Sequence, residues 1–115
     1  MARDTLDTLA KKVDPNNAAL LVVDVQNDFA AEGGMMDREG NDLSMSQGII
    51  PRLEQLIDEA READVPVIFI RNVYNTDANW YLSDVWLEQA ARARQGSYVI
   101  HSVCAPDSWA GDFYK

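Results

Sequence analysis

The sequence contains one cysteine, Cys104, and one histidine, His101. A lone cysteine excludes an intramolecular disulfide, and one Cys with one His cannot by itself hold a zinc ion. Basic residues are scarce as well: 10 Lys and Arg stand against 19 Asp and Glu, a formal net charge of −9 over 115 residues. That balance argues against nucleic-acid binding, which needs clustered cations to neutralise phosphates. It argues equally against docking on an anionic membrane surface. Long apolar runs are missing too. The longest, 18–23 and 65–70, fall far short of a bilayer span, and Pro66 interrupts the second. The N-terminal residues carry charges of both signs without the apolar core of a signal peptide, so a reducing cytoplasm is the expected location. Repeats, low-complexity segments and Ser/Gly-rich linkers are absent.

What is present is a globular composition. Hydrophobic residues make up 47% of the chain, too many for a disordered acidic tail. A chain of this length buries roughly 65% of its extended surface, enough for one core. Leu6, Leu9 and Val13 recur at helical spacing and predict a short helix over 4–13, with Asp4 available as its cap. Residues 18–25, Ala-Ala-Leu-Leu-Val-Val-Asp-Val, form the nearly continuous apolar run of a strand buried on both faces. Residues 26–45, rich in Gly and Asn, read as a long irregular connection of the kind that usually carries function. A helix is expected over 47–63, capped by Ser46, tolerating Pro51 in its first turn and ending at Asp64. Val65 to Ile70 reads as a second buried strand. Ser83 can cap a helix over 84–94 that Gly96 ends, and 97–103 suits another short strand. The fold class is therefore α/β, built on a β-α-β unit with only two well-marked strands.

Asp24 closes the first apolar run. An ionised carboxylate there is costly unless paired, and in open α/β sheets ligands bind beyond the carboxyl ends of the strands. Position alone leaves two readings open, a general base or an acid that caps loop amides. Asn72 and Trp80, at and after the end of the second strand, are candidates to line the same crevice. Trp80, Trp86 and Trp109 also suit ordinary packing. Gly33-Gly34 lacks the spacing of a nucleotide fingerprint, and Glu54, Asp58, Glu59 and Glu62 read as a solvated helix face.

The segment Asp24-Val-Gln26-Asn27-Asp28-Phe29, followed by Gly33-Gly34, resembles the opening signature of the isochorismatase-like cysteine hydrolases. The resemblance continues through 57–72 and through Cys104-Ala-Pro-Asp-Ser-Trp-Ala-Gly-Asp-Phe-Tyr114, covering nearly the whole chain in order. It implies a three-layer Rossmann-like fold with a mostly parallel sheet, of which residues 1–115 would be the N-terminal portion. It implies a Cys-Lys-Asp triad hydrolysing a small amide, ureido or carbamoyl compound, with Asp24 matching the aspartate and Phe29 matching an aromatic of the pocket wall. No segment here matches those that bring the family's Lys and nucleophilic Cys. The expectation is that the C-terminal half of the same protein supplies them as a second chain, within a homo-oligomer. The region after the second strand has no His where nicotinamidases place metal ligands. The resemblance is thus closest to the branch of biuret hydrolase, ureidoacrylate amidohydrolase and N-carbamoylsarcosine amidase, with no metal and no cofactor.

His101, Cys104 and Asp107 suggest a triad only superficially. Residues three apart on a strand face opposite ways, and Pro106 opposes a helix that would align them. Cys104 is expected to be an inert buried thiol. The competing function is a non-catalytic α/β interaction module that keeps the Asp strand without the chemistry.

Overall fold

The computed structural model describes residues 5–74, 83–93 and 103–115. Trp80, His101 and most of the strand expected over 97–103 lie outside the described residues. In chain order the elements are α1 (Leu9–Val13), β1 (Leu20–Val23), α2 (Asn27–Ala30), α3 (Met35–Arg38), α4 (Ser44–Glu62), β2 (Val67–Ile70) and α5 (Asp84–Ala93). They fall into two compact units, one of Met1–Val23 with Ile49–Ile70 and one of Asp24–Gly48 with Arg71–Lys115.

In the first unit β1 and β2 pair in parallel, with Leu20 opposite Val67 and Val23 opposite Ile70. Both strands draw on β-branched and aliphatic residues that fit a pleated surface. Burial is partial and falls on one face, where the sequence suggests two covered faces; even there Phe69, opposite Val22, is 42% exposed. Val22 is buried and Leu20 and Val67 are half-buried. Leu21 and Val23, with their cross-strand partners Ile68 and Ile70, share the other face and are 41–54% exposed. The reason is the small size of the sheet: among the described residues no layer covers that side. α1 is shorter than expected and is capped by Thr8, whose Oγ1 accepts from the Lys11 N–H at 3.3 Å. Leu9 and Val13 on it, and Leu6 before its cap, stay exposed, so the apolar spacing here marks a helix and not a buried face.

α4 starts two residues before Ser46. The Asp42 carboxylate accepts from the Ser44 N–H at 2.8 Å, and that bond, with one to the Ser44 side chain, lowers the Asp42 pKa. Pro51 lies inside the helix and not in its first turn. It withholds a donor, yet the helix continues through it. The C-terminal end is a Schellman motif: the Val65 N–H reaches the Ala60 carbonyl at 2.8 Å and the Asp64 N–H the Arg61 carbonyl at 3.1 Å. Asp64 takes the left-handed conformation this requires, φ 59°.

The second unit replaces the expected irregular connection with two one-turn helices, α2 and α3. Its core is Met35, Val103 and Cys104, against which Phe29, Met36 and Tyr74 pack. α5 matches its expected span and carries an ion pair between Glu88 and Arg92 on adjacent turns. Gly34 sits where α3 begins, and a Cβ there would lie 2.3 Å from the Asn27 carbonyl oxygen and 2.9 Å from the Asp28 Cα.

Two substitutions check these backbone arguments by denaturant unfolding. Asp64→Gly relieves the left-handed residue and should stabilise the fold by about 1 kcal/mol. Gly34→Ala forces main chain apart and should destabilise by about 1–3 kcal/mol.

Candidate active site

The backbone leaves β1 through Asp24, which adopts φ 58°, a conformation that costs a non-glycine residue energy and tends to occur at functional positions. The Asp24 side chain is exposed, and its carbonyl accepts from the Gln26 N–H at 2.9 Å. Three polar residues follow and are sequestered: Gln26 and Asp28 have no exposed surface and Asn27 only 7%. Buried polar groups are stable only when partnered, and each of these is.

Asp28 is the electrostatic centre of the segment. Its Oδ1 accepts from the Met35 N–H at 2.9 Å, which starts α3, and its Oδ2 from the Cys104 N–H at 2.6 Å. Arg38 lies 3.9 Å from the same carboxylate and donates to the Gly33 carbonyl at 2.9 Å. Asn27 donates its side-chain amide to the Trp109 carbonyl at 2.7 Å. The Gln26 carboxamide meets the Asn72 N–H at 2.5 Å and the Asn72 and Gly111 carbonyls at 2.7 Å each. Main-chain bonds run alongside: Asn27 and Asp28 donate to Asp112 and Ala110, Tyr114 donates to Val25, and Gln26 bridges Phe113 in antiparallel fashion. The stretch 103–114, which has no regular secondary structure, is thereby bound to 25–28.

The sequence candidates distribute as follows. Asp24 presents its carboxylate to solvent at the strand end and lies within electrostatic reach of Cys104. Asn72 is half-buried and is tied through its main chain to Gln26. Phe29 packs against the Met35–Val103–Cys104 core. Cys104 is free and fully buried. Burial pushes its thiol up to about 12, with the Asp28 and Asp24 carboxylates adding to the effect. A thiol held that far above neutrality supplies no thiolate, in keeping with an inert role. A cavity of about 300 Å³ opens beside this segment between Trp109, Phe113 and Tyr114, with Asn27, Asp112 and Lys115 at its polar margin; Asp24, Phe29 and Asn72 do not line it. Among the described residues no three His, Cys, Asp or Glu side chains converge as a metal centre would require. No described helix is long and apolar enough to cross a membrane.

Gln26 and Asp28 organise this region, yet motif reading gives neither a role. The available signal was local: an amide and an acid directly after an apolar strand must either face solvent or find partners.

The sequence profile of the isochorismatase domain matches residues 18–111, a span that holds every residue of this network except those after Gly111. The chain therefore belongs to the isochorismatase family. It is 35% identical to the ureidoacrylate amidohydrolase RutB of Agrobacterium fabrum over 79 residues, 61% of this chain and 35% of the relative. Against RutB of Methylobacterium radiotolerans it is 42% identical over 60 residues, 52% of this chain and 23% of the relative. Against RutB of Pantoea ananatis it is 35% identical over 83 residues, 72% of this chain and 30% of the relative. The chain spans about a third or less of the length of these curated relatives.

The Cys104 geometry fixes a pH dependence. Its thiol has an ordinary pKa of 9.0 and is raised to about 12 in the fold, so the protonated form is favoured by folding. That contribution is complete below pH 9 and is lost as pH rises towards about 12. Native protein at pH 8 should resist alkylation by iodoacetamide and react fully in guanidinium. Cys104→Ala should flatten the loss of stability in the alkaline range.

Proposed function

We propose that this chain is part of an amidohydrolase that cleaves a C–N bond of a small ureido or carbamoyl compound. The observation that carries the proposal is the family match over 18–111 together with the similarity to ureidoacrylate amidohydrolases from several bacteria. In this reading Asp24 is the acid–base of a Cys-Lys-Asp triad. It takes the proton of a thiol as the sulfur attacks the substrate carbonyl and returns it to the departing amine; water then hydrolyses the thioester. An exposed carboxylate on a left-handed residue at the end of β1 suits that task, because ligands of open α/β sheets gather at strand carboxyl ends. The same reading assigns Asn72 and Phe29 to the substrate pocket, with Trp80, outside the described residues, as a further candidate.

In this reading the lysine and the nucleophilic cysteine come from outside residues 1–115, from the part of such a hydrolase that these residues do not match. Cys104 is not the nucleophile: it is buried, and its thiol is held protonated. The open apolar face of Leu21, Val23, Ile68 and Ile70 supports the same reading, since parallel sheets are stable when both faces are covered. The reaction needs neither metal nor cofactor, and the protein works in the cytoplasm as a homo-oligomer.

Mass spectrometry of the purified active protein should find polypeptide sequence beyond these 12.9 kDa, in the same chain or in another. With that sequence present, ammonia release from ureidoacrylate, biuret or a carbamoyl amino acid should fall about 10²–10⁴-fold in Asp24→Asn. Cys104→Ala should change it little. Turnover by residues 1–115 alone would overturn the assignment of the lysine and cysteine to residues outside them. Absence of turnover with the further sequence present would leave a non-catalytic interaction module.

A further inference from the structure

Gln26 has no part in the chemistry proposed above, yet every polar atom of its carboxamide is used. It has no exposed surface. Its Oε1 accepts from the Asn72 N–H, and its Nε2 donates both hydrogens, one to the Asn72 carbonyl and one to the Gly111 carbonyl. The β1–β2 pairing ends at Val23–Ile70, and Asp24 turns the chain into a left-handed conformation. Past that point, the main chain of Asn72 has the two bonding needs that a paired strand residue would meet. A carboxamide has the same donor and acceptor as a peptide group. The Gln26 side chain therefore substitutes for a peptide, bonding both polar groups of Asn72. Its own main-chain N–H meanwhile holds the Asp24 carbonyl at 2.9 Å.

One residue thus grips Asp24 by its backbone and Asn72 by its side chain, and it anchors the 103–114 stretch at Gly111. We infer that Gln26 is the positioning residue of this site, fixing Asn72 relative to Asp24. In its contribution to turnover the inference rests on the amidohydrolase reading above. The role requires an amide. A glutamate at this position accepts from the Asn72 N–H but sets a carboxylate against two carbonyls. When protonated, it regains one of the two donated bonds. A methionine has the length and no donor. The charged groups around the position are Asp24 and Asp28 on its own segment, and Arg71 and Asp112 beside its two partners, themselves paired at 3.5 Å.

The test compares wild type, Gln26→Glu and Gln26→Met in the full-length protein, reading ureido-amide hydrolysis from pH 5 to 9 and hydrogen exchange at the Asn72 amide. For a folded Gln26→Glu we expect kcat/KM about 100-fold below wild type at pH 8, recovering as pH falls, and a uniform loss in Gln26→Met. Asn72 should be protected in wild type and lose protection in Gln26→Met. A folded Gln26→Glu within threefold of wild type across the range overturns the inference, as does an unprotected Asn72 amide in wild type. If a variant fails to fold, wild-type exchange and the other variant decide. If wild type hydrolyses no ureido amide, the reaction assigned above fails by itself. The positioning role then stands or falls on whether Asn72 protection depends on Gln26.

Discussion

A carboxylate shut away from water governs the second unit of this protein. Asp28 is fully buried, and an ion in that position is tolerable only if its oxygens are met by donors of fixed geometry. Two backbone amides meet them, one at the start of α3 and one at Cys104, with the Arg38 guanidinium beyond. The start of α3 and the seating of Cys104 follow from satisfying that charge, while Gln26 and Asn27 hold the rest of 103–114. Helices of four residues do not persist in isolation, because nucleation costs more than one turn returns. Here a long-range electrostatic contact supplies what helix propensity does not.

Much of the architecture was readable in the residues, and what was readable is local. β1, β2, α4 and α5 announced themselves through apolar periodicity and caps, because a strand or long helix writes its burial into successive side chains. α2 and α3 did not, since their cause lies in partners far along the chain. Element ends moved for reasons of the same kind: Asp42 started α4 ahead of Ser46, and Thr8 displaced Asp4 as the cap of α1. The two-sided burial expected of β1 and β2 also went unmet. An apolar run records what a residue requires, and whether it is covered depends on neighbours the run does not specify.

The site divides along the same line. Asp24 stood out because a charge terminates an apolar strand, and Cys104 because it is solitary. The assignment of Cys104 as a buried, unreactive thiol rested on its spacing to His101, on Pro106, and on its place in the resembled stretch, which is not where that family carries its nucleophile. Gln26 and Asp28 were printed in the same motif, but a motif records identity and not direction. Only the folded chain reveals that Asp24 faces solvent while Gln26 and Asp28 turn inward. The residues within one signature thus divide between facing the ligand side and holding the frame.

The network also has a consequence for the order of events during synthesis. The Asp28 carboxylate meets its second amide 76 residues later, and the Gln26 carboxamide meets Gly111 across 85. Contacts of that separation must overcome loop-closure entropy before they return any stabilisation. While the ribosome is still translating the middle of the chain, Asp28 and Gln26 have been made and their partners have not. The first unit can pair its strands as soon as β2 emerges. The second must keep an unpartnered acid and amide in water until residues 104 to 111 arrive, so the region that carries the candidate chemistry takes shape after the first unit.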